Sequence, residues 1–452
     1  MKREKPREHS LFLKSFRSYL QLVSSKLYFR KEHVINRENV PANGTPVVMV
    51  SNHQNCLNDP LCVCLNLTDR RMNFLARANV FQRPLFNRAL RAMGLLPAYR
   101  LEYEGFAAVN NNKDTMNDAS KALMGGETVM LFPECGHQDK RWLGIFKLGY
   151  LRIAFDAAER MNFERDVVIM PSCNHYSNYF HARADMLIKF GKAISLKPYY
   201  DDYRRAPRET MVRINSIVRE EIKNLMLHVE DLDHYDEIDF IRESSYGDDY
   251  ARRQGLRPRH LPSRLKSDKM LVEALQEAHA KDATTMESVY ADTREYSSEL
   301  KRLNIRDWHF AKRIGFGSTL FRALALLVML PLFIAAIIPT SLLFIVPKIF
   351  LKKLIKDQMF VSSFNVAVSA LITFPICLVV PFILIWIFVN VWWALGYVVA
   401  FPLMFIFAWN YQRLFHKFMG SLRFVMPKNR ATVERLKALR KSIHERLDAV
   451  LK

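Results

Sequence analysis

Long apolar runs are missing from the first two-thirds of the chain. Between residues 1 and 315, charged residues interrupt every apolar stretch before it reaches the roughly 20 residues that a membrane-crossing helix needs. A cleavable export signal is not visible either, because the amino terminus is densely charged. Cysteine is scarce: the six, at positions 56, 62, 64, 135, 173 and 377, show no zinc-type paired spacing. Cys62 and Cys64, two apart in a predicted helix, face different sides. These absences point to a soluble portion in the reducing cytoplasm, with its thiols free. A net charge of +21 alone fits nucleic acid or an anionic membrane surface. No basic face interleaved with stacking aromatics stands out, nor any nucleic-acid motif, so nucleic acid is not expected as a partner.

What the first two-thirds lacks, the last third has. Ala323 to Pro347 holds 25 residues without a formal charge, and Gln358 to Gln412 another 55. The chain therefore reads as an integral membrane protein with a soluble amino-terminal part. Basic residues crowd the flanks: eight Lys/Arg against two Glu in residues 1–30, and eleven against three acids in 411–452. That is the pattern of cytoplasmic flanks. Pro331 and Pro339 interrupt the first apolar stretch and positive residues lie on both sides of it. Residues 323–347 are therefore expected to dip in and return. Residues 358–412 are expected to form a helical hairpin turning near Asn390, within a membrane region 316–412 followed by a basic helical tail, 413–452. At the other end, Phe12, Phe16, Leu20, Val23 and Leu27 recur at helical steps. Residues 1–30 thus supply a basic amphipathic helix, packed on its own domain or lying on a membrane surface.

From residue 31 to 204, strand-like runs alternate with helical stretches, the signature of an α/β domain with a central sheet. Strands are predicted at 47–51, 73–76, 95–99, 128–132, 167–171 and 186–190, and helices near 60–66, 80–93, 113–124 and 149–161. Residues 205–315 change character to a charged helical extension, with periodicity around 208–228, 267–281 and 284–303.

Four segments of the α/β region end an apolar strand in polar residues: "SNHQNCLNDP" (51–60), "GLLPAYR" (94–100), "LFPECGHQDKR" (131–141) and "VVIMPSCNHY" (167–176). Ligand sites in α/β sheets form at such strand ends. Taken alone, Asp59 before Pro60 is a good helix start, with Asp at the N-cap and Pro at the first helical position. His137, His175 and His181 read as surface or structural residues, and no metal set emerges from them.

In this order the four segments resemble the glycerolipid acyltransferase family, which acylates glycerol-3-phosphate and 1-acylglycerol-3-phosphate. The resemblance covers roughly residues 30 to 200. "FLARANVF" (74–81) and "FKLGYLRIAFDAAE" (146–159) are similar to the family's connecting segments. It implies an acyltransferase α/β domain with a central mixed sheet, joined here to the helical extension and the C-terminal transmembrane helices. It also implies roles. His53 would be the general base that takes a proton from a glycerol hydroxyl, and Asp59 would hold its second ring nitrogen. Asn55 would shape the loop and Arg100 would bind the acceptor's phosphate. Glu134 and Gly136 would shape the acceptor pocket, with Lys140 or Arg141 adding charge beside it, and Pro171 would form a wall. Acyl-CoA or acyl-carrier protein would be the donor, a glycerol-phosphate or lysolipid the acceptor, and a phospholipid membrane the setting. No cofactor or metal is implied.

Two departures from the family's commonest pattern stand out. Five residues separate His53 from the aspartate instead of four, leaving Asn58 at the usual place. His53-Gln54-Asn55-Cys56-Leu57-Asn58-Asp59-Pro60 fits a longer-looped form of the block, which favours Asp59 as the partner. Cys135 stands where glycine is usual. The expectation is a membrane-bound O-acyltransferase of phospholipid biosynthesis with its catalytic domain on the cytoplasmic face, the inner or plasma membrane in a bacterium. Two rivals stand beside it: an acyltransferase for another lysolipid or an amino-acid lipid, and a non-catalytic membrane scaffold of the same fold.

Overall fold

A computed structural model describes residues 11–99, 112–134, 136, 140–312, 314–355 and 359–451. It divides into two compact units. The first runs to His228 and includes Ile355–Val366; the second comprises Val229–Leu354 and Ala367–Lys452.

The first unit is built on eight described strands: β1 (Lys31–Ile35), β2 (Val47–Ser51), β3 (Met72–Arg77), β4 (Leu95–Ala98), β5 (Thr128–Leu131), β6 (Val168–Tyr176), β7 (Asp185–Phe190) and β8 (Ile194–Ser195). The order is β1-β7-β6-β2-β5-β3-β4, with β8 also paired to β6. β2 lies at the centre, parallel to β5 on one side and to β6 on the other. β7 and β8 run antiparallel to β6, so the sheet is mixed. β2 is a continuous apolar run because both its faces are covered. Val48 and Val50 point into a core shared with the helices Asn112–Met124, Gly149–Arg160 and Pro207–Leu225. Val47 and Met49 point the other way, among Cys62, Val63, Phe29, Tyr176 and Val366, as the two-residue repeat of a strand requires.

The helix Pro207–Leu225 buries Met211, Ile214, Val218, Ile222 and Leu225, one face at helical spacing. It belongs to the core of the first unit, as does the short segment to Val366. Truncating one such buried side chain to alanine costs about 2–5 kcal/mol. Toward the amino terminus, the helix Leu11–Gln21 continues into a wider turn, Leu22–Tyr28, that buries Val23 and Leu27. Arg17 donates to the carbonyl of Leu67 at 2.6 Å and to that of Cys64, placing a cation at the C-terminus of the helix Asn58–Asn66.

The second unit is helical. Tyr235–Glu243, Ser245–Arg253, Leu261–Lys281 and Ala283–Leu303 precede a long apolar region, and Arg430–Val450 follows it. Buried Asp307 joins the two ends of this unit: it accepts from the backbone of Ser245 (2.7 Å), from the Tyr296 hydroxyl (2.9 Å) and from Arg440 (3.1 Å).

Among the described residues, three helices, over Phe316–Ile349, Phe360–Phe388 and Val391–Val425, are long and apolar enough to cross a membrane. The dip expected at 323–347 is not formed. That stretch lies inside one unbroken helix, Phe316–Leu354, which runs through Pro331, Pro339 and Pro347. Each proline forfeits one backbone bond, whereas a reversal in apolar surroundings strips several donors and acceptors of any partner. A break does fall at Asn390, whose side chain caps the last helix by accepting from the Trp393 amide at 3.0 Å. That helix extends past residue 412 to Val425 and carries Arg413, Lys417 and Arg423 within it. Exposed Trp386, Trp392 and Trp393 surround the break, the residue type that anchors helices at a membrane interface.

Candidate active site

The site begins where β2 ends. Past Ser51, the Asn52 carboxamide continues the ladder to β6, accepting from the Asn174 amide at 2.9 Å and donating to its carbonyl at 3.1 Å. That clasp fixes the direction in which His53 leaves the sheet. The chain then turns at Asn55, whose carbonyl accepts from the Asn58 amide at 2.8 Å. Cys56, inside this turn, has φ of +34°, in the left-handed region that side chains other than glycine rarely adopt.

His53 Nδ1 lies 3.0 Å from Asp59 Oδ2. The same oxygen accepts the backbone N–H groups of Gln54 (2.9 Å) and Asn55 (2.8 Å), and Oδ1 accepts the Tyr176 hydroxyl at 2.8 Å. Burial, with the Asp59 charge beside it, pushes the Tyr176 hydroxyl well above its ordinary range, so it stays a donor. Asp59 is fully buried, and two backbone amides and the Tyr176 hydroxyl donate to its carboxylate. The N-cap role does not form: the helix spans Asn58–Asn66, with Asp59 in its first turn. Its carboxylate reaches back to the amides of the preceding loop, which converge on one oxygen. On its other side the imidazole stacks on Phe132, centroids 4.1 Å apart.

Asn58, at the place where the family pattern has Asp, faces elsewhere. Its Nδ2 donates to Asn55 Oδ1 (3.1 Å) and to Ser362 Oγ (3.0 Å).

Glu134 follows β5, the strand next to β2, and reaches the backbone of His53. Oε1 accepts from the His53 amide at 3.0 Å and Oε2 from the Gly144 amide at 2.8 Å. Burial pushes the Glu134 carboxyl up to about 7, against the pull of these two amides. Asn55, besides its amide bond to Asp59, donates through Nδ2 to the Tyr179 carbonyl at 3.3 Å. A Cβ at Gly136 would meet nothing within 4 Å, so neither space nor backbone conformation demands glycine there. Pro171 is paired in register with Val50, one strand across from the approach to His53. Its carbonyl accepts from Gly191, so its nitrogen faces the interval between β8 and β7, where a missing N–H leaves no ladder broken.

Arg100 lies outside the described residues, as do Cys135 and His137. Tyr99, just ahead of Arg100, is clasped to Asn112: the Tyr99 amide donates to Oδ1 (2.9 Å) and Nδ2 to its carbonyl (2.8 Å). β4 is three strands from β2, on the order of 14 Å at sheet spacing.

Several contacts go beyond the sequence reading. Gln54 Oε1 accepts the Tyr179 hydroxyl at 2.6 Å, its Nε2 donates to the Lys140 carbonyl at 3.0 Å, and Arg141 donates to Tyr179 Oη at 3.0 Å. Arg141 is buried, its guanidinium lying over the Tyr179 ring. Ser363 Oγ accepts from the Asn58 amide (3.2 Å) and donates to the Asn55 carbonyl (2.9 Å), bridging the two ends of the turn. Ser362 Oγ links Asn58 Nδ2 to the Tyr28 hydroxyl, 2.9 Å away. The signal for these was available: Ser362, Ser363 and Asn365 form a polar cluster inside an otherwise apolar stretch.

Residues 31–174 match the Acyltransferase family model. A chloroplastic 1-acyl-sn-glycerol-3-phosphate acyltransferase of Arabidopsis thaliana is 29% identical over 126 residues, 28% of this chain and 33% of the relative. A chloroplastic relative from Brassica napus with the same activity in its name is also 29% identical over 126 residues, 34% of its length. The chain thus spans about a third of the length of these relatives. The crystal structure of the 1-acyl-sn-glycerophosphate acyltransferase PlsC from Thermotoga maritima aligns over 47% of this chain and 79% of its own, at 17% identity and a TM-score of 0.35.

Proposed function

We propose, from the premise that residues 31–174 are a domain of the glycerolipid acyltransferase family, that this chain acylates the free hydroxyl of 1-acylglycerol-3-phosphate at the cytoplasmic face of a membrane. The donor is an acyl thioester, acyl-CoA or acyl-carrier protein. The observation that carries the reading is the contact between His53 Nδ1 and Asp59 Oδ2 at 3.0 Å, with Asp59 buried and bound by donors.

An anionic acceptor at Nδ1 keeps the ring proton there and leaves the lone pair on Nε2. Nε2 then takes the proton of the acceptor hydroxyl while its oxygen attacks the thioester carbonyl. The tetrahedral intermediate collapses by breaking the carbon–sulfur bond, and the imidazolium returns its proton to the departing thiolate. The products are the diacyl ester and a free thiol. Asp59 stabilises the imidazolium between these steps. Arg100 binds the acceptor's phosphate; Glu134 fixes the His53 backbone, and Gly136 and Pro171 border the acceptor.

The test is acyl transfer by the full-length protein in lipid, using labelled donor with glycerol-3-phosphate, 1-acylglycerol-3-phosphate and phosphate-free lysolipids as acceptors. Transfer to 1-acylglycerol-3-phosphate that His53→Ala abolishes and Arg100→Ala weakens through KM is the expected result. Transfer to no acceptor removes the enzymatic reading. Transfer to a phosphate-free lysolipid that ignores Arg100→Ala assigns a different acceptor.

A further inference from the structure

The second unit carries its own convergence of imidazole and carboxylate, unrelated to the site at β2. Asp231 and His234 come from the loop that leads into the helix Tyr235–Glu243. His279 lies in the last turn of Leu261–Lys281, and Glu287 near the start of Ala283–Leu303. The four form a closed ring. Asp231 Oδ2 is 2.8 Å from His234 Nδ1 and 3.6 Å from His279 Nδ1. On the opposite side, Glu287 Oε1 is 3.0 Å from His234 Nε2 and 3.4 Å from His279 Nε2.

This arrangement is awkward for neutral imidazoles. A neutral imidazole has one N–H and one lone pair, so a ring with a carboxylate at each nitrogen sets a lone pair against an anion. Both rings face that problem at once. Two imidazolium rings resolve it by donating at every nitrogen; one divalent cation resolves it as well, by accepting a lone pair from each ring.

We propose that His234, His279 and Asp231 bind one divalent transition-metal ion of the zinc class, with Glu287 orienting the two rings from behind. One ligand atom from each of the three residues lies within 4.8 Å of the others. Ligands at the usual ~2.0–2.1 Å from tetrahedral zinc stand about 3.4 Å apart, and the separations from Asp231, 2.8 and 3.6 Å, bracket that spacing. The donor set, two imidazoles and a carboxylate, is one zinc uses, with the fourth position left to solvent. Asp231 is held ready: its Oδ1 accepts the backbone N–H groups of Asp233 (3.1 Å) and His234 (3.0 Å). Glu287 then accepts the N–H at Nε2 of both rings, the hydrogen-bonded support that metal-binding histidines use. Buried Tyr290 sets the angle of the rings, stacking on His234 at 4.6 Å and meeting His279 edge-on at 5.6 Å. The ion ties one loop to two helices of the same unit.

The test uses full-length protein in detergent micelles, stripped by a chelator and titrated with Co2+ and then Zn2+. One equivalent of Co2+ is expected to give the visible absorption of a four-coordinate ion, which Zn2+ bleaches while raising the thermal midpoint. His234→Ala and His279→Ala lose the absorption, and Glu287→Gln weakens Zn2+ binding about 10–100-fold. A stripped wild type that shows its cooperative thermal transition yet binds no stoichiometric Co2+ overturns the proposal. So does full binding in the His234→Ala/His279→Ala double variant. Neither result bears on acyl transfer at His53.

Discussion

The chain holds two groupings of histidine and carboxylate, and they are organised in opposite ways. At the end of β2, one imidazole meets one buried carboxylate through Nδ1 and a phenylalanine ring through its face. In the helical unit, two imidazoles alternate with two carboxylates, and both nitrogens of each ring face an anion. A general base needs one nitrogen oriented and the other able to exchange a proton, whereas a ligand needs its lone pair committed. The same residue types therefore announce different chemistry through how many ring nitrogens are held.

The largest effect separates the two members of the first pair. His53→Ala is expected to lower turnover by about 10²–10⁴-fold and to leave the thermal midpoint nearly unchanged. Asp59→Asn should cut turnover comparably and destabilise the protein as well. Its amide sets an NH2 group against some of the donors now converging on the carboxylate, at about 1–3 kcal/mol for an unsatisfied buried donor. Parallel rate and thermal-melt measurements distinguish the pair. Asn58→Ala, whose side chain points to Asn55 and Ser362, should cost far less turnover than Asp59→Asn. The reverse order would make Asn58 the partner of His53.

Next comes the carboxyl that holds the His53 amide. Folded Glu134 titrates near 7, above its ordinary 4.5, because burial outweighs its two amide donors. A carboxyl raised in the folded state contributes stability that is fully present below about 4.5 and is lost as pH rises through about 7. Between pH 5 and 8 the wild-type thermal midpoint should therefore fall, by the equivalent of up to about 3 kcal/mol. Glu134→Gln should flatten that slope, and an unchanged slope would assign it to other groups.

Much of this was legible in the sequence. β2, β3, β5 and β7 announce themselves as apolar runs, and His53 and Glu134 follow two strands that lie side by side. β1 does not announce itself: Lys31-Glu32-His33 opens a polar edge strand, recognisable only once β7 lies beside it. Tyr176 and Ser362 escape for another reason. Their contacts span 117 and 304 positions of sequence, and no local spacing encodes such a meeting. The continuity of Phe316–Leu354 is not legible from its prolines, which break a water-exposed helix but sit inside this one.

A smaller effect tests the support of the loop. Ser363→Ala removes the hydroxyl that bridges the Asn55 carbonyl and the Asn58 amide. The expected cost is about 1–2 kcal/mol with a several-fold fall in kcat at unchanged KM, since the turn that aims Asp59 loosens without touching the acceptor. Ser363→Thr keeps the hydroxyl and should restore most of the rate. A packing role alone would not be rescued in that way.

The smallest effect, that of a glycine, falls on the residue that the longer loop makes necessary. Five residues between His53 and Asp59 require a tight turn, and Cys56 absorbs it with φ of +34°. Glycine adopts that backbone without penalty, but Cys56→Gly also gives up a side chain that is 8% exposed. The two effects oppose each other, so the thermal midpoint should shift by the equivalent of about 1 kcal/mol or less. Cys56→Val makes the opposite demand, placing a β-branched side chain where even an unbranched one is strained. It should destabilise by about 1–3 kcal/mol and slow turnover along with it. Equal midpoints for the glycine and valine variants would mean that the loop relaxes to ordinary φ. In that case the His53–Asp59 spacing does not depend on the turn at Cys56.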